Sequence, residues 1–214
     1  MAEGLLPDRV DRYLESLVPA RPAELAEMEA IGRRIHFPIV GPACGQACYL
    51  LARMIGARTV FEMGSGYGYS TAWFARAVHE NGGGKVYHVV WDNVLSAQAR
   101  RHLEVLGFAP WMEYRVGEAI EILRGTPGPF DLIFLDIDKE AYPEALPVVG
   151  DKLRQGGILI ADNALRRGNV ADGRDRSPST EAIRRFTQMV VGDPAWISTV
   201  LPIRDGLLLA WKQT

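Results

Sequence analysis

The chain has 214 residues, of which 48% are hydrophobic and 23% charged, a composition that excludes disordered, collagen-like and coiled-coil proteins. A length in this range fits one domain, and we expect a single domain over residues 1–214, with an N-terminal helical part at 1–57 and the sheet with its site at 58–214. The 24 basic and 26 acidic residues give a formal net charge of −2, which excludes attraction of nucleic acid or an anionic membrane by overall charge.

The N-terminal part of the chain is predicted to be helical. An amphipathic helix is indicated around residues 10–17, an acidic helix around 22–34, and a third helix over 46–55. Two arrangements are open for these helices. They pack on one face of a sheet, or they offer a surface for dimerisation.

The start of the chain and its cysteines bear on the cellular compartment. Glu3 and Asp8 lie within the first ten residues and no long apolar core follows, so we expect no signal peptide. No window approaches about 18 consecutive apolar residues, which excludes a membrane-spanning helix. Cys44 and Cys48 lie four apart, where a helix places both on one face, and this spacing disfavours a disulfide. We therefore expect buried thiols in a cytoplasmic protein that does not bind membranes.

From about residue 59 onward, apolar β-branched runs alternate with helical patterns. This alternation predicts βαβ units that form a parallel sheet. The predicted strands span residues 59–63, 86–90, 112–116, 131–135 and 158–161. The predicted helices span residues 70–78, 95–106, 119–123 and 143–153. Asn93 is the predicted N-cap of the helix at 95–106.

The C-terminal part of the chain changes character. Residues 163–177 are rich in Gly, Asn, Asp and Arg and are predicted to form a long mobile loop. A helix at 180–191 is followed by strands at 198–204 and 207–212, which a tight Asp-Gly turn joins. A mostly parallel, seven-stranded sheet with a C-terminal antiparallel hairpin resembles the Rossmann-like class I methyltransferases. We expect this α/β fold, with helices on both faces of the sheet.

A glycine-rich turn follows the first predicted strand. Gly64, Gly66 and Gly68 occupy alternate positions between that strand and the next helix. Glycine there allows a sharp turn and the close approach of a ligand, although such turns also serve merely to connect a strand to a helix. Glu62 lies near the strand end, at the carboxyl edge of the sheet where ligands bind. The spacing differs from Gly-x-Gly-x-x-Gly and therefore favours a cofactor without a pyrophosphate.

Polar side chains follow two later strands where each of them ends. Asp136, Asp138 and Lys139 come after the fourth strand, and Asp162 and Asn163 come after the fifth. If these strands are neighbours, their polar ends converge at one sheet edge. Hard oxygen ligands with room for water and substrate suit Mg²⁺ or a similar cation rather than zinc. Each acid taken alone has another interpretation, as a helix N-cap or a solvated loop end.

Other motifs are excluded or stay secondary. The four histidines show no zinc-ligand spacing, and neither a Gly-x-Ser-x-Gly elbow nor a P-loop occurs, which argues against a serine hydrolase and a P-loop NTPase. Several arginines could form a basic rim near the candidate site, although we expect them to be a solvated face. These are Arg166, Arg167, Arg174, Arg176, Arg184 and Arg185.

From residue 31 to 212 the sequence resembles the cation-dependent O-methyltransferases, the group that contains catechol O-methyltransferase and the plant caffeoyl-CoA enzymes. The order and spacing of five motifs carry this resemblance. They are Gly41-Pro-Ala-Cys-Gly-Gln46, Glu62-Met-Gly-Ser-Gly-Tyr-Gly-Tyr-Ser70, Asp136-Ile-Asp-Lys-Glu-Ala-Tyr142, Asp162-Asn163 with Gly168-Asn-Val170, and Leu201-Pro-Ile-Arg-Asp-Gly206.

The resemblance implies S-adenosylmethionine as cofactor and Mg²⁺ or a similar divalent cation. It implies that the S-adenosylmethionine site is lined by Val40, Glu62, Gly64, Gly66, Ser70, Ala119 and Asp136. It also implies that Asp136, Asp162 and Asn163 hold the metal and that Lys139 is the general base. These residue types suit the chemistry. A metal lowers the pKa of a bound hydroxyl, a nearby cation disfavours the charged form of Lys139, and in-line alignment of oxygen, methyl and sulfur accelerates the transfer.

The chain also departs from the family pattern. At the end of the second strand the family has an acid that binds the ribose hydroxyls, and this chain has Val90. Asp92 is the candidate substitute, if the strand end is bulged or shifted. Without a substitute, cofactor binding is weaker by about 1–3 kcal/mol. Ala141 and Ala145 replace a common Asn and Tyr, which changes the expected acceptor pocket more than the chemistry.

The sequence therefore predicts a metal- and S-adenosylmethionine-dependent O-methyltransferase that acts on a small catechol-like or other vicinal-oxygen acceptor and forms a homodimer. Two alternatives stay open. One is a tRNA hydroxyuridine O-methyltransferase of the same family, in which the arginine-rich loop contacts RNA. The other is a non-catalytic homologue that binds the cofactor weakly because of Val90.

Overall fold

The computed structural model describes residues 5–214. Glu3, which contributes to the expectation that there is no signal peptide, lies outside the described residues, as does the start of the predicted domain at residue 1. Within residues 5–214, no helix is both long and apolar enough to cross a membrane.

Three helices precede the sheet: α1 (Asp8–Ser16), α2 (Ala23–Ile35) and α3 (Gly41–Met54). The third begins five residues earlier than the predicted start at residue 46. Gly41 has a φ of 74°, and Pro42 occupies the first turn, where a missing N–H leaves no helical hydrogen bond unmade. Both predicted buried thiols are confirmed, since Cys44 and Cys48 lie in the core on α3.

The central part alternates strands and helices as predicted. Its elements are β1 (Thr59–Met63), α4 (Tyr69–Glu80), β2 (Lys85–Val90), α5 (Asn93–Val105), β3 (Met112–Val116), α6 (Ala119–Gly125), β4 (Phe130–Leu135), α7 (Tyr142–Lys152) and β5 (Leu153–Ala161). The chain then continues through α8 (Pro178–Gly192), β6 (Trp196–Leu201) and β7 (Leu207–Lys212). Short 3-10 helices cover Ala109–Trp111, Lys139–Ala141 and Arg166–Ala171.

Across the described part of the chain, the strands form one seven-stranded sheet in the order β3-β2-β1-β4-β5-β7-β6. The first five strands are parallel, and β7 runs antiparallel to both β5 and β6. The predicted mostly parallel sheet with a C-terminal antiparallel hairpin is confirmed. The interior strands β1 and β4 are almost wholly buried, as expected when helices cover both faces of a parallel sheet.

Two apolar layers cover the sheet. One face carries Val60, Val86, Leu132, Phe134 and Ile160 and packs with residues of α2, α3, α4 and α5. The other face carries Phe61, Val89, Ile133, Leu135 and Leu159 and packs with residues of α6, α7 and α8. Side chains alternate between faces along a strand. Glu62 and His88 therefore share the first face with Val60 and Val86.

A polar cluster closes the amino edge of the sheet. Asp131, near the start of β4, accepts hydrogen bonds at Oδ2 from the backbone N–H groups of Arg58 and Thr59, both at 2.8 Å. The Thr59 hydroxyl donates to the same oxygen at 2.9 Å. At Oδ1, Asp131 accepts from Arg154 Nε at 2.6 Å. This one carboxylate joins the beginnings of β1, β4 and β5.

The predicted N-cap of α5, Asn93, is wrong. Asp92 caps the helix, because its Oδ1 accepts the N–H groups of Val94 at 2.7 Å and Leu95 at 2.9 Å. Asn93 is the first residue inside the helix. A carboxylate oxygen that accepts two otherwise unpaired N–H groups also complements the positive end of the helix dipole.

The predicted tight Asp-Gly turn in the C-terminal hairpin is also wrong. Leu201 pairs with Leu207, so five residues connect β6 to β7. Pro202 follows β6 directly and has no N–H with which to continue a ladder. Arg204 adopts a φ of 52°, and its guanidinium donates to the carbonyl oxygen of Ile39 at 3.0 Å. The connection therefore reaches back to the segment before α3.

Residues 163–177, predicted to be a mobile loop, contain a 3-10 helix and fold onto α8. The guanidinium of Arg184 on α8 donates to four backbone carbonyl oxygens of this segment, those of Asn169, Val170, Asp172 and Asp175. Such contacts satisfy carbonyl groups that a segment without regular structure leaves unpaired.

Candidate active site

The carboxyl ends of three adjacent strands meet at one edge of the sheet. Met63, Leu135 and Ala161, the last residues of β1, β4 and β5, are neighbours in the sheet register. The backbone N–H of Asp136 donates to Met63 at 2.9 Å, and that of Asp162 donates to Leu135 at 3.0 Å. The glycine-rich turn and both acidic strand ends therefore lie side by side, as ligand sites do in open α/β sheets.

The glycine-rich turn needs its glycines. Gly64, Gly66 and Gly68 have φ values of 90°, 52° and 93°, in the left-handed region that favours glycine. A Cβ at Gly64 would collide with the backbone carbonyl of Asp136, and a Cβ at Gly68 would lie 2.9 Å from the Cβ of Ala99. The turn therefore packs closely against the end of β4 at Gly64 and against α5 at Gly68. The backbone between these two glycines lies at the carboxyl edge of the sheet.

Glu62 is fully buried beneath this turn. Its Oε2 accepts a hydrogen bond from the Thr71 hydroxyl, whereas Oε1 has no hydrogen-bond partner among residues 5–214. Burial raises the pKa of Glu62 to about 7, although neighbouring serine and threonine hydroxyls oppose this rise. An unpaired buried carboxylate oxygen calls for a polar partner, preferably a cationic one. The site thus fits a ligand that carries a positive charge or a hydrogen-bond donor.

The other residues predicted to line the cofactor site stand at element boundaries. Val40 directly precedes α3, Ser70 is in the first turn of α4, and Ala119 is the first residue of α6. All three are buried. Ala119 follows the strand that pairs with β2, and Ser70 follows the glycine-rich turn, so both lie toward the carboxyl edge of the sheet.

Lys139 forms an ion pair with Asp136 at the end of β4. Its Nζ lies 2.6 Å from Asp136 Oδ1 and 3.0 Å from the Tyr142 hydroxyl oxygen. The Tyr142 hydroxyl in turn lies 2.9 Å from the carbonyl oxygen of Leu135 and 3.1 Å from that of Asp162. The buried Tyr142 therefore links Lys139 to the ends of β4 and β5. The ammonium group is held at the same edge as the two acids.

Asp162 and Asn163 complete this edge. Asp162 is only 6% exposed, and burial, followed by the charge of Asp136, raises the pKa of Asp162 to about 7. Asn163 has a φ of 57°, and its side-chain NH₂ donates to Asp205 Oδ2 at 3.2 Å. Because the nitrogen faces Asp205, the side-chain oxygen of Asn163 is left to accept another donor or to coordinate a cation.

The donor set suits a hard cation. No group of three or more His, Cys, Asp or Glu residues that could hold a metal is present in the described part of the chain. The edge instead offers two carboxylates and one amide, from Asp136, Asp162 and Asn163. Oxygen donors of this kind, completed by water or substrate oxygens, match Mg²⁺. Asp136 and Asp162 carry like charges that repel each other, and Asp162 is deeply buried. A bound dication would offset this repulsion.

The end of β2 lacks an acid directed to the site. Val90 is buried and pairs with Val116 of β3. Asp92, the candidate substitute, is used at Oδ1 as the cap of α5. One of its two oxygens therefore serves the helix, and Oδ2 is the oxygen that would have to accept from a ribose hydroxyl in place of the acid that the family has at Val90.

Three residues that take part in the hydrogen bonds of the candidate site were not singled out from the sequence: Thr71, His88 and Tyr142. Tyr142 belongs to the motif that begins at Asp136, and its place three residues after Lys139 was the available signal. Thr71 and His88 gave no comparable signal. His88 is brought beside Glu62 by the strand register, which pairs these two residues directly.

The arginine-rich segment is largely paired within the chain. Arg174 forms an ion pair with Asp172, and Arg176 and Arg184 both pair with Glu181. The Arg166 guanidinium donates to the Ser179 hydroxyl. These pairs offset part of the positive charge that a basic rim for nucleic acid needs.

Comparison with known proteins gives a consistent result. The model of the O-methyltransferase family matches residues 23–213. A catechol O-methyltransferase from Niastella koreensis is 34% identical over 180 residues, which cover 80% of each chain. A catechol O-methyltransferase from Mycobacterium tuberculosis is 31% identical over 198 residues, which cover 91% of this chain and 89% of the relative. The crystal structure of the O-methyltransferase TomG from Streptomyces achromogenes in complex with SAM has a TM-score of 0.84, 30% identity and full coverage of both chains.

Proposed function

The chain belongs to the O-methyltransferase family, and from this premise we propose that it transfers a methyl group from S-adenosylmethionine to one hydroxyl of a small acceptor with two vicinal oxygens, with the help of Mg²⁺ or a similar divalent cation. The observation that carries the proposal is the grouping of Lys139, Asp136 and Asp162 beside the glycine-rich turn. The catechol O-methyltransferase relatives support a catechol-like acceptor.

The cofactor is assigned to the buried end of the glycine-rich turn. The residues proposed to hold it are Val40, Glu62, Gly64, Gly66, Ser70, Ala119 and Asp136. The cation is assigned to Asp136, Asp162 and Asn163. When bound, S-adenosylmethionine supplies a methyl group on a positively charged sulfur, and the dication supplies a charge that lowers the pKa of a hydroxyl near it.

Lys139 is proposed to take the proton of the acceptor hydroxyl at its Nζ. In the structure Nζ is paired with Asp136 Oδ1 at 2.6 Å. A dication held by Asp136 would compete for this carboxylate and would leave Nζ available to the acceptor hydroxyl. Tyr142 keeps Nζ at the edge throughout, since its own hydroxyl is fixed between the backbone of β4 and β5.

The burial of the site residues also limits the access of water. Glu62 is fully buried and Asp162 nearly so, and water is therefore largely excluded from the base of the site. Electrostatic interactions are stronger where water is excluded. Holding the acceptor oxygen and the methyl group in line at this site supplies much of the rate enhancement over the same reaction in solution.

The direct test is methyl transfer to a 1,2-dihydroxyphenyl acceptor, measured with and without EDTA and with Lys139→Ala. We expect EDTA to abolish the activity, added Mg²⁺ to restore it, and the variant to lack it. Activity that survives both EDTA and Lys139→Ala would contradict the proposed mechanism. Calorimetry with S-adenosylmethionine separates the non-catalytic alternative, for which no heat of binding is expected at millimolar ligand.

The homodimer, the cytoplasmic location and the division of the domain at residue 58 stay predictions. Analytical ultracentrifugation of the purified protein tests the first of these. The tRNA alternative predicts salt-sensitive tRNA binding that is lost when Arg166 and Arg167 are replaced. The internal pairing of Arg174, Arg176 and Arg184 favours the small acceptor instead.

A further inference from the structure

A buried polar triad lies beneath the glycine-rich turn, on the face of the sheet that α4 covers. Glu62 of β1 and His88 of β2 are direct partners in the parallel register, so their side chains project from the same face. Thr71, in the first turn of α4, lies between them. All three residues are 0% exposed. Three polar side chains at such depth need one another as partners.

The hydrogen bonds of the triad have a direction. The Thr71 hydroxyl carries one proton and donates it to Glu62 Oε2. Thr71 Oγ1 also lies 3.1 Å from His88 Nδ1. When Glu62 is ionised, the only hydroxyl proton is used toward its Oε2, so Thr71 accepts from His88 and Nδ1 carries the ring proton. His88 Nε2 has no hydrogen-bond partner within residues 5–214, which is consistent with a neutral ring protonated at Nδ1.

The charge state of His88 agrees with this assignment. Burial, with a smaller contribution from the positive charge of Arg100, lowers the pKa of His88 to about 3. The ring is therefore neutral at physiological pH and carries one N–H. A neutral histidine that donates from Nδ1 fixes the Thr71 hydroxyl as a donor, and the hydroxyl in turn fixes one oxygen of Glu62.

We propose that His88, acting through Thr71, is a positioning residue that orients the Glu62 carboxylate so that its unpaired Oε1 receives the ammonium group of the cofactor's amino-acid part. This inference rests on the proposed function. It accounts for two features together: Oε2 is occupied by Thr71, and Oε1 of the same residue, two positions before Gly64, is buried with no partner among the residues described. A charged donor is the strongest partner for such an oxygen.

A purely structural role for the triad is the competing explanation. In that case the triad only joins β1, β2 and α4, and its loss weakens the fold without discriminating between ligands. The two explanations differ in what they predict for ligands with and without the ammonium group. S-adenosylhomocysteine contains the amino-acid part of the cofactor, whereas 5′-methylthioadenosine has the same nucleoside and thioether without it.

Isothermal titration calorimetry of the full chain with these two ligands tests the proposal. Thr71→Val removes the hydroxyl at nearly constant volume, and Thr71→Ser keeps it. His88→Leu removes the donor, and His88→Asn keeps an N–H group close to the position of Nδ1. We expect Thr71→Val and His88→Leu to weaken S-adenosylhomocysteine binding about tenfold, and the two conservative variants to stay within about threefold of the wild type.

Binding of 5′-methylthioadenosine should change little in all four variants. Equal losses for both ligands, or equal effects of Thr71→Val and Thr71→Ser, would overturn the positioning role. Thermal unfolding of each variant shows whether it is folded at the titration temperature. If the wild type binds neither ligand, the proposed function itself fails, and this outcome is distinct from a failure of the positioning role.

A second measurement needs no ligand. The chain has four histidines, and long-range ¹H–¹⁵N NMR correlations distinguish the two neutral tautomers of each ring. The resonances that disappear in His88→Asn identify His88. We expect the Nδ1–H tautomer at neutral pH. A predominant Nε2–H tautomer would reverse the hydrogen bond to Thr71 and overturn the proposal.

Discussion

Lys139 and Asp136 form an ion pair at the carboxyl end of β4, with Nζ 2.6 Å from Oδ1. The Lys139 side chain is 14% exposed, so the pair is shielded from water without being closed to it. Nζ in this position lies at the sheet edge that also carries Asp162, the second acid of the proposed metal site. The first prediction concerns this lysine.

Lys139→Ala should lower kcat at least about 100-fold, because a general base commonly contributes that much or more. Binding of S-adenosylhomocysteine should change little, since Lys139 is assigned to the acceptor side of the site. Steady-state kinetics and calorimetry measure the two effects. Lys85→Ala, at the amino edge of β2, is the matched control and should keep wild-type kcat. A kcat within a few fold of wild type for Lys139→Ala would contradict the general-base role.

Tyr142→Phe should destabilise the protein by about 1–3 kcal/mol, because it removes a buried hydroxyl that lies within hydrogen-bonding distance of the Asp162 carbonyl oxygen. Urea-induced unfolding measures the loss. The variant also leaves Lys139 Nζ without one of its two hydrogen-bond partners, so we expect a lower kcat as well. Tyr87→Phe is a control at a half-buried tyrosine of β2, remote from Lys139 in the sheet. Equal stability of Tyr142→Phe and the wild type would argue against the role given to this hydroxyl.

Mg²⁺ affinity should strengthen as the pH rises through about 7, the value to which burial and the charge of Asp136 raise the pKa of Asp162. Below that pH a proton competes with the cation for the carboxylate, by up to about tenfold in affinity per pH unit. Mg²⁺ titrations between pH 6 and 8 check this. In Asp162→Asn the affinity should be weak and its pH dependence much reduced. A wild-type affinity that is constant over this range would remove Asp162 from the metal site.

Val90→Glu should tighten S-adenosylhomocysteine binding by about 1–3 kcal/mol, because it restores an acid at the end of β2 where the family binds the ribose hydroxyls. Calorimetry measures the change. Val90→Gln has nearly the same shape without the charge and should give a smaller gain. If Val90→Glu folds and binds no more tightly than the wild type, another group already serves the ribose.

His88 should make the protein less stable as the pH falls below 6.5. The folded-state pKa of about 3 lies below the ordinary value of 6.5, so the unfolded chain binds the proton first. Relative to His88→Asn, the wild type should lose about 1.4 kcal/mol of unfolding free energy per pH unit between these two values. Urea-induced unfolding at pH 7.5, 6.5 and 5.5 measures the difference. The opposite pH trend from Glu62 is present in both proteins and cancels. Parallel pH profiles would show that the ring protonates in the folded state.

Much of the fold follows from the sequence because its main patterns are local. The apolar run of β4 predicts a strand, and the glycines at 64, 66 and 68 predict a turn. Each pattern is formed by residues close together in the sequence. The N-cap error at Asn93 is local, by one residue, whereas the two larger errors arose where a distant contact decides the local structure. The connection from β6 to β7 is shaped by Arg204, whose partner is Ile39. The segment after Asn163 is shaped by Arg184, which lies on the following helix.

The site divides in the same way. The proposed metal ligands could be named because they follow strand ends in short motifs, whereas the role of Lys139 as base came from the family resemblance. Their convergence follows once the strand order 2-1-4-5 is known. The triad of Glu62, Thr71 and His88 could not be read from the sequence. It depends on which residue of β2 stands beside Glu62, and a shift of one residue would turn His88 to the other face of the sheet.

The two ends of strand β4 carry aspartates with different roles. Asp131 holds the amino edge together through Arg58, Thr59 and Arg154, while Asp136 stands five residues later at the edge assigned to catalysis. A library of variants scored separately for cellular abundance and for methyl transfer would therefore separate them. Substitutions of Asp131 should deplete abundance, and substitutions of Asp136 should leave abundant but inactive protein. Selection for cellular abundance and selection for methyl transfer would then act on opposite ends of the same strand.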